Sequence, residues 1–168
     1  MLIDLREFLS GPKDKLEMTA SLGLEQVSAV YGCYSFKSKS DITFSIRKSS
    51  KDEIAVKGFG DVVLIMPCDR CLCDVEVPLS YEFERTALVP CTDIETQEDQ
   101  DYIDGYNLDV DRLVYDEILL KLPGKVLCRE DCLGLCPVCG HNLNEGECGC
   151  DREVPDPRMS VFKDIIIK

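Results

Sequence analysis

The chain has 168 residues, 45% of them hydrophobic, with eleven cysteines, one histidine and a formal net charge of −13. That length buries a real core in one medium domain, with room for a small satellite. The negative balance argues against broad nucleic-acid binding by the chain as a whole, because phosphate contacts need Lys and Arg. No basic start leads into a long apolar run, so a secretory signal is not expected. Apolar runs such as 62–67 fall far short of the roughly 20 residues that span a bilayer. A cytoplasmic protein without a membrane partner is expected.

The first half reads as β. Residues 16–22 (Leu-Glu-Met-Thr-Ala-Ser-Leu) alternate apolar and polar side chains, as do 42–46, and 53–57 is a shorter case. Such period-two patterning hides one face and wets the other. Residues 62–66 form a continuous apolar run, as a strand buried on both faces would. Alternation returns at 75–79 and 81–85. Gly23, Gly32, Ser49-Ser50, Gly58 and Gly60 punctuate the runs as turn formers. Strands at this spacing predict an antiparallel β-sheet or a partly closed β-barrel. The segment 91–105 has almost no apolar period and reads as an acidic loop. A helix is predicted from about 109 to 122, with Asp109 as N-cap and Leu113, Val114, Glu117, Ile118 and Lys121 on a stripe with one wet edge. Pro123-Gly124 stops it. Asp156-Pro157-Arg158 opens a second helix, with Met159, Phe162, Ile165 and Ile166 at helical spacing. The expected fold class is therefore α+β: residues 1–122 as a mostly β domain with acidic loop 91–105, and 123–168 as a Cys-rich zinc module with a C-terminal helix. No internal repeat is evident.

The charge is uneven. Acids dominate 91–117, where a like-charge run is expected to be solvated. Lys37, Lys39, Arg47, Lys48 and Lys51 gather on 36–51, an exposed basic face and, with Arg70, the candidate phosphate-facing region.

Without a signal peptide the compartment is expected to be reducing, and clustered cysteines then favour a metal over disulfides. The dense group is Cys128-Arg-Glu-Asp-Cys132-Leu-Gly-Leu-Cys136-Pro-Val-Cys139-Gly140, followed by Cys148-Gly-Cys150. In Cys-Pro-x-Cys-Gly a tight turn lets two thiolates approach one ion, and the glycine gives the backbone room to point amides at sulfur. A second pair must complete the tetrahedron. Cys148 and Cys150 are the first choice; Cys128 and Cys132 compete. His141 is expected to be an exposed bystander. Since His and Glu are poorly supplied here, structural Zn2+ is expected rather than a catalytic ion, which keeps an open position. Cys68-Asp-Arg-Cys71 follows the apolar run. It reads as a structural pair, as half of a second four-sulfur site with thiols such as Cys128 and Cys132, or as a redox pair.

Two of these motifs, in this order, carry a family resemblance. Cys68-Asp-Arg-Cys71-Leu72 resembles the Cys-x-Arg-Cys-Leu signature of the YceD family, which includes the large ribosomal RNA subunit accumulation proteins. The stretch Leu127–Asn144 with Cys148-Gly-Cys150 is similar to that family's C-terminal motif, and Asp116–Leu120 and Asp156-Pro157-Arg158 also fit. The resemblance implies a part in accumulation, processing or assembly of large-subunit ribosomal RNA, by binding or chaperoning rather than catalysis. The function expected is a ribosome-biogenesis factor binding precursor large-subunit (23S) rRNA, a large-subunit ribosomal protein, or both, with no small-molecule substrate. The acidic charge suits a basic protein partner better than naked RNA. The competing readings are a zinc-containing protein-interaction module unrelated to ribosomes and a thiol redox protein using Cys68 and Cys71. A metal nuclease is disfavoured, because most of the acids lie in one irregular run and no nucleophile–base pair stands out.

Overall fold

The computed structural model describes residues 1–30, 32–50, 52–90 and 101–151. The chain forms two compact units: Met1–Met66 with Val75–Gly124, and Pro67–Asp74 with Lys125–Lys168. The loop carrying Cys68 and Cys71 thus belongs to the same unit as the C-terminal cysteines.

The first unit is antiparallel β with two short helices. In chain order it contains β1 (Leu2–Asp4), α1 (Arg6–Ser10), β2 (Lys15–Ala20), β3 (Gln26–Ala29), β4 (Gly32–Lys39), β5 (Ile42–Lys48), β6 (Glu53–Pro67), β7 (Asp74–Leu88), β8 (Ile103–Asp104), β9 (Asn107–Asp109) and α2 (Val110–Lys121), the outer ends of β6 and β7 running into the second unit. The main sheet has the order β2-β5-β6-β4-β3, and β7 also pairs with β6. Register explains this branched order. β2 pairs with β5 from Lys15↔Arg47 to Ala20↔Ile42, and β3 pairs with β4 from Gln26↔Ser35 to Ala29↔Gly32. β4 and β5 follow each other along β6, with Lys39 opposite Val62 and Thr43 opposite Phe59. The sheet is therefore a meander of long antiparallel strands in which the first two are broken midway. At the second break Ser40 N donates to Asp61 O (2.9 Å), and Asp61 N donates to Ser40 Oγ (2.8 Å). Among the described residues the sheet does not close into a barrel.

Gly58 and Gly60 do not make turns. They lie inside β6, which joins the runs 53–57 and 62–66 into one strand. Their role is space. A Cβ on Gly58 would meet Phe83 Cζ at 2.6 Å and Phe44 Cβ at 3.0 Å, and one on Gly60 would meet the Tyr81 hydroxyl at 2.5 Å. The absent side chains admit two aromatic rings of β7 into the core. Nor is 62–66 buried on both faces: Val62, Leu64 and Met66 are buried, while Val63 and Ile65 are partly exposed. Pro78 sits within β7, which among the described residues pairs with β6 alone, so there its missing N–H breaks no second ladder.

Core side chains come from alternate strand positions, with Ile42, Phe44, Ile46, Ile54, Val56, Leu64, Tyr81 and Phe83 all buried. Burying each large one contributes about 1.5–3 kcal/mol. The helix α2 adds Val110, Leu113, Val114 and Ile118. Asp109 caps it by accepting from Asp111 N (3.1 Å) and Arg112 N (3.4 Å). The helix is tied down by Tyr115, whose hydroxyl donates to Ser28 O at 2.6 Å. Glu117, on the predicted stripe, is buried and paired with Arg85. Part of the expected acidic loop is ordered, too. Ile103 is buried in β8, which pairs with β9, and β9 pairs with β1. Residues 91–100, Lys51 and the expected helix after Asp156 lie outside the described residues.

Gly58→Ala is expected to destabilise the protein by about 1–3 kcal/mol in urea unfolding, as overpacking does. Phe83→Leu in the same chain shortens the ring that the new methyl meets. The double variant should therefore lose less than the sum of the two single losses.

Candidate metal centres

The second unit is built on two turns of the same design. In the first, Leu72 N donates to Cys68 O (2.9 Å) and Cys68 N to Cys73 O (2.8 Å). In the second, Gly140 N donates to Cys136 O (2.9 Å) and Cys136 N to His141 O (2.8 Å). The residue after the second cysteine is left-handed in both, with φ of 61° at Leu72 and 73° at Gly140. In both, the first sulfur also accepts backbone N–H groups two and three residues on: Arg70 and Cys71 in one, Val138 and Cys139 in the other. Sequence reading found no repeat because the turns share little beyond the Cys-x-x-Cys frame. What repeats is the backbone.

Each turn meets a second pair of thiols. Cys68, Cys71, Cys128 and Cys132 form one group, and Cys136, Cys139, Cys148 and Cys150 the other, the sulfurs of each lying within 4.8 Å of one another. All eight cysteines are free. In the first group Cys68 Sγ is 3.9 Å from Cys132 Sγ, and Cys71 Sγ is 3.6 Å from Cys128 Sγ. These separations are far longer than a disulfide bond of about 2.05 Å. They match the sulfur–sulfur edge of about 3.8 Å in a tetrahedron with metal–sulfur bonds of about 2.3 Å. The donor set thus fits one thiophilic cation per group, and the competition between Cys128/Cys132 and Cys148/Cys150 resolves into two groups.

The electrostatics differ thiol by thiol. Burial opposes charge at Cys68, but N–H groups of Arg70, Cys71 and Cys128 outweigh it and hold its pKa down to about 6. At Cys136 the N–H groups of Cys139 and Val138 do the same against burial, again to about 6. Burial is also the main opposing effect at Cys132, where the Asn144 amide and Gly134 N–H prevail and lower the pKa. Burial pushes Cys128 up to about 11. Hydrogen bonding among the sulfurs of Cys139, Cys148 and Cys150 pushes Cys150 up to about 12. The first group thus has Cys68 and Cys132 drawn toward the thiolate and the second has Cys136, beside Cys128 and Cys150, which hold their protons until a cation displaces them.

Three residues hold this arrangement without offering sulfur. Asp69 pairs with Val126 in both directions: its N donates to Val126 O (2.9 Å), and its carboxylate accepts from Val126 N (2.7 Å). Arg70 Nη1 donates to Cys132 O (2.7 Å), and Arg70 O accepts from Leu135 N (3.1 Å). Asn144 lies in the loop between Cys139 and Cys148, yet its amide donates to Cys132 Sγ (3.3 Å) of the first group. Its oxygen accepts from Leu133 N (2.8 Å) and Arg129 Nη2 (2.6 Å). Sequence reading gave Asp69 and Asn144 no role. Their signal was position alone, within or beside a cysteine motif. Cys73 was also left aside; its sulfur is 3.2 Å from Cys71 Sγ, making it a fifth thiol at the first group.

The basic candidates are dispersed. Lys37 pairs with Glu76. Lys39 donates to the carbonyls of Leu22 (3.0 Å) and Leu24 (2.6 Å), and Lys48 to Gly11 O (2.7 Å). Arg47 is exposed on β5. Lys39 and Lys48 are nine residues apart, which along extended chain is about 30 Å. His141 is exposed, and its carbonyl rather than its ring serves the second turn. Among the described residues no helix is long and apolar enough to cross a membrane.

An antiparallel β unit whose hairpin loop shares a cysteine module with the C-terminal region defines a class of β proteins with paired four-thiol centres. Residues 56–166, a span that takes in both turns, match the family described as large ribosomal RNA subunit accumulation protein YceD, and the chain belongs to that family. It is similar to uncharacterized proteins of Mycobacterium bovis and Mycobacterium tuberculosis, 28% identical over 157 residues, 91% of this chain and 72% of theirs. An uncharacterized protein of Mycobacterium leprae is 29% identical over 129 residues, 74% of this chain and 56% of its own. No solved structure matches.

Asn144→Ala takes the acceptor from Leu133 N and one of the donors from Cys132 Sγ. It should cost about 1–3 kcal/mol of stability in the metal-loaded protein, read by urea unfolding. Cys71→Ser should lower the metal content by one ion per chain in elemental analysis, whereas Cys73→Ser should leave it unchanged.

Proposed function

We propose that this protein is a cytoplasmic ribosome-biogenesis factor that binds precursor large-subunit rRNA, a large-subunit ribosomal protein, or both, and so supports accumulation or processing of that RNA. Membership of the family named for large ribosomal RNA subunit accumulation carries this reading. The protein acts by binding, not catalysis. Its best-formed constellations are two four-thiol groups, and a cation held by four sulfurs has no open position for a substrate. The ion in each group is Zn2+, the usual partner of closed all-cysteine tetrahedra. It holds the second unit in shape, tying loop 67–74 to the segment from Lys125 onward.

The redox reading of Cys68 and Cys71 has less support. A redox pair needs a path for a substrate disulfide, but Cys68 is buried, with Cys132 at 3.9 Å, and Cys71 faces Cys128 and Cys73.

Affinity purification of the tagged full chain, with and without RNase, tests the function. Large-subunit rRNA or large-subunit proteins should be enriched over a tagged control, with the protein fraction surviving RNase if the contact is direct. Recovery of neither would overturn the proposal.

A further inference from the structure

The two cysteine turns act as internal controls for each other, and they differ where a difference is informative. Their backbone hydrogen bonds correspond one for one, and each needs a left-handed residue after its second cysteine. The second turn places Gly140 there, which meets that need without a Cβ penalty. The first places Leu72, the one non-glycine residue with positive φ among the described residues. A branched hydrophobe is disfavoured in this conformation. Such strain is ordinarily offset by burial, but the Leu72 side chain is 64% exposed. Within this chain, then, leucine is worse than glycine on both counts.

A second exposed leucine stands in the same unit, on the loop that Arg70 reaches. Arg70 Nη1 holds the carbonyl of Cys132, and the next residue, Leu133, is 66% exposed. The Leu133 backbone is fixed by Asn144. The loops that Arg70 joins therefore each present a leucine to solvent from a rigid frame. Rigid, exposed apolar side chains suit an interface anchor, because little conformational freedom is lost on docking.

Charge selects the partner. Among the described residues of this unit Asp69, Asp74, Glu130, Asp131, Glu145, Glu147 and Asp151 outnumber Lys125, Arg129 and Arg70. Arg70 and Arg129 are engaged on Cys132 O and Asn144 Oδ1. Four thiolates around a divalent cation add a net charge of about −2 at each centre. Such a surface repels phosphate and attracts cationic protein.

We propose that Leu72, with Leu133 on the loop that Arg70 joins to it, is the apolar anchor through which the cysteine module docks onto a basic protein of the large ribosomal subunit, the acids of the module steering the encounter. This rests on the ribosomal reading above and narrows it to a protein partner at one named site.

The test uses the full-length, metal-loaded chain, immobilised, with two probes: proteins extracted from purified large subunits and separated by cation exchange, and protein-free 23S rRNA. Wild type should bind at least one basic protein, more weakly as salt rises. Leu72→Gly and Leu72→Asn suit the left-handed conformation, so both should keep the wild-type metal content and match or exceed its melting temperature. Both should bind that protein roughly tenfold or more weakly. Undiminished binding by the two variants would overturn the anchor while leaving the ribosomal function standing. Binding to the rRNA alone would overturn the protein partner. Failure of wild type to bind either probe would remove the ribosomal reading, and this inference with it.

Discussion

Four thiols gathered within a few ångströms cannot all ionise unless a cation sits among them, because like charges at that distance repel strongly in a partly dry site. Everything distinctive in the second unit follows from that constraint. The backbone turns at Cys68 and Cys136 aim N–H groups at one sulfur and hold it near the thiolate state. Cys128 and Cys150 are held as thiols, whose protons a metal would displace. Without such a cation, little else would hold Pro67–Asp74 against the segment from Lys125 onward. Among the described residues there, only Val126 and four of the cysteines are buried apolar side chains. A segment with so little apolar core needs a cross-link, and metal–thiolate bonds at the two four-thiol groups would supply one.

This gives the hairpin of β6 and β7 a second purpose. Its outer loop also contributes Cys68 and Cys71 to a four-thiol group, with Asp69 and Arg70 placing their side chains on Val126 N and Cys132 O. An arginine beside a Cys-x-x-Cys pair would conventionally be assigned to thiol activation or RNA contact. Here its guanidinium closes the turn that brings Cys132 to the site. The function proposed therefore depends on the surface this frame presents, not on chemistry at the sulfurs.

Much of this was legible in the sequence where one periodicity acted alone. The alternation at 16–22 and 42–46 became β2 and β5, and Asp109 caps α2 as its side-chain chemistry requires. Reading failed where tertiary packing reverses the usual meaning of a residue. Gly58 and Gly60 looked like turns, but they are gaps left for Phe83 and Tyr81 across the hairpin. Residues 103–104 looked like loop because a two-residue strand has no period to detect. At the cysteines, spacing identified the eight candidate ligands. It offered the division that the structure shows, with Cys148 and Cys150 as first choice and Cys68 and Cys71 as half of a second site, but left it open, since Cys128 and Cys132 are near Cys136 in sequence and close their site with a hairpin loop some 60 residues upstream.

The central claim is that the eight cysteines form two separate, closed, all-sulfur centres. X-ray absorption at the zinc edge of the purified full chain, combined with elemental analysis, tests it directly. The account predicts two zinc ions per chain and a first shell fitted by four sulfurs at about 2.3 Å with no nitrogen or oxygen. A single ion per chain, or a shell containing nitrogen or oxygen, would contradict it.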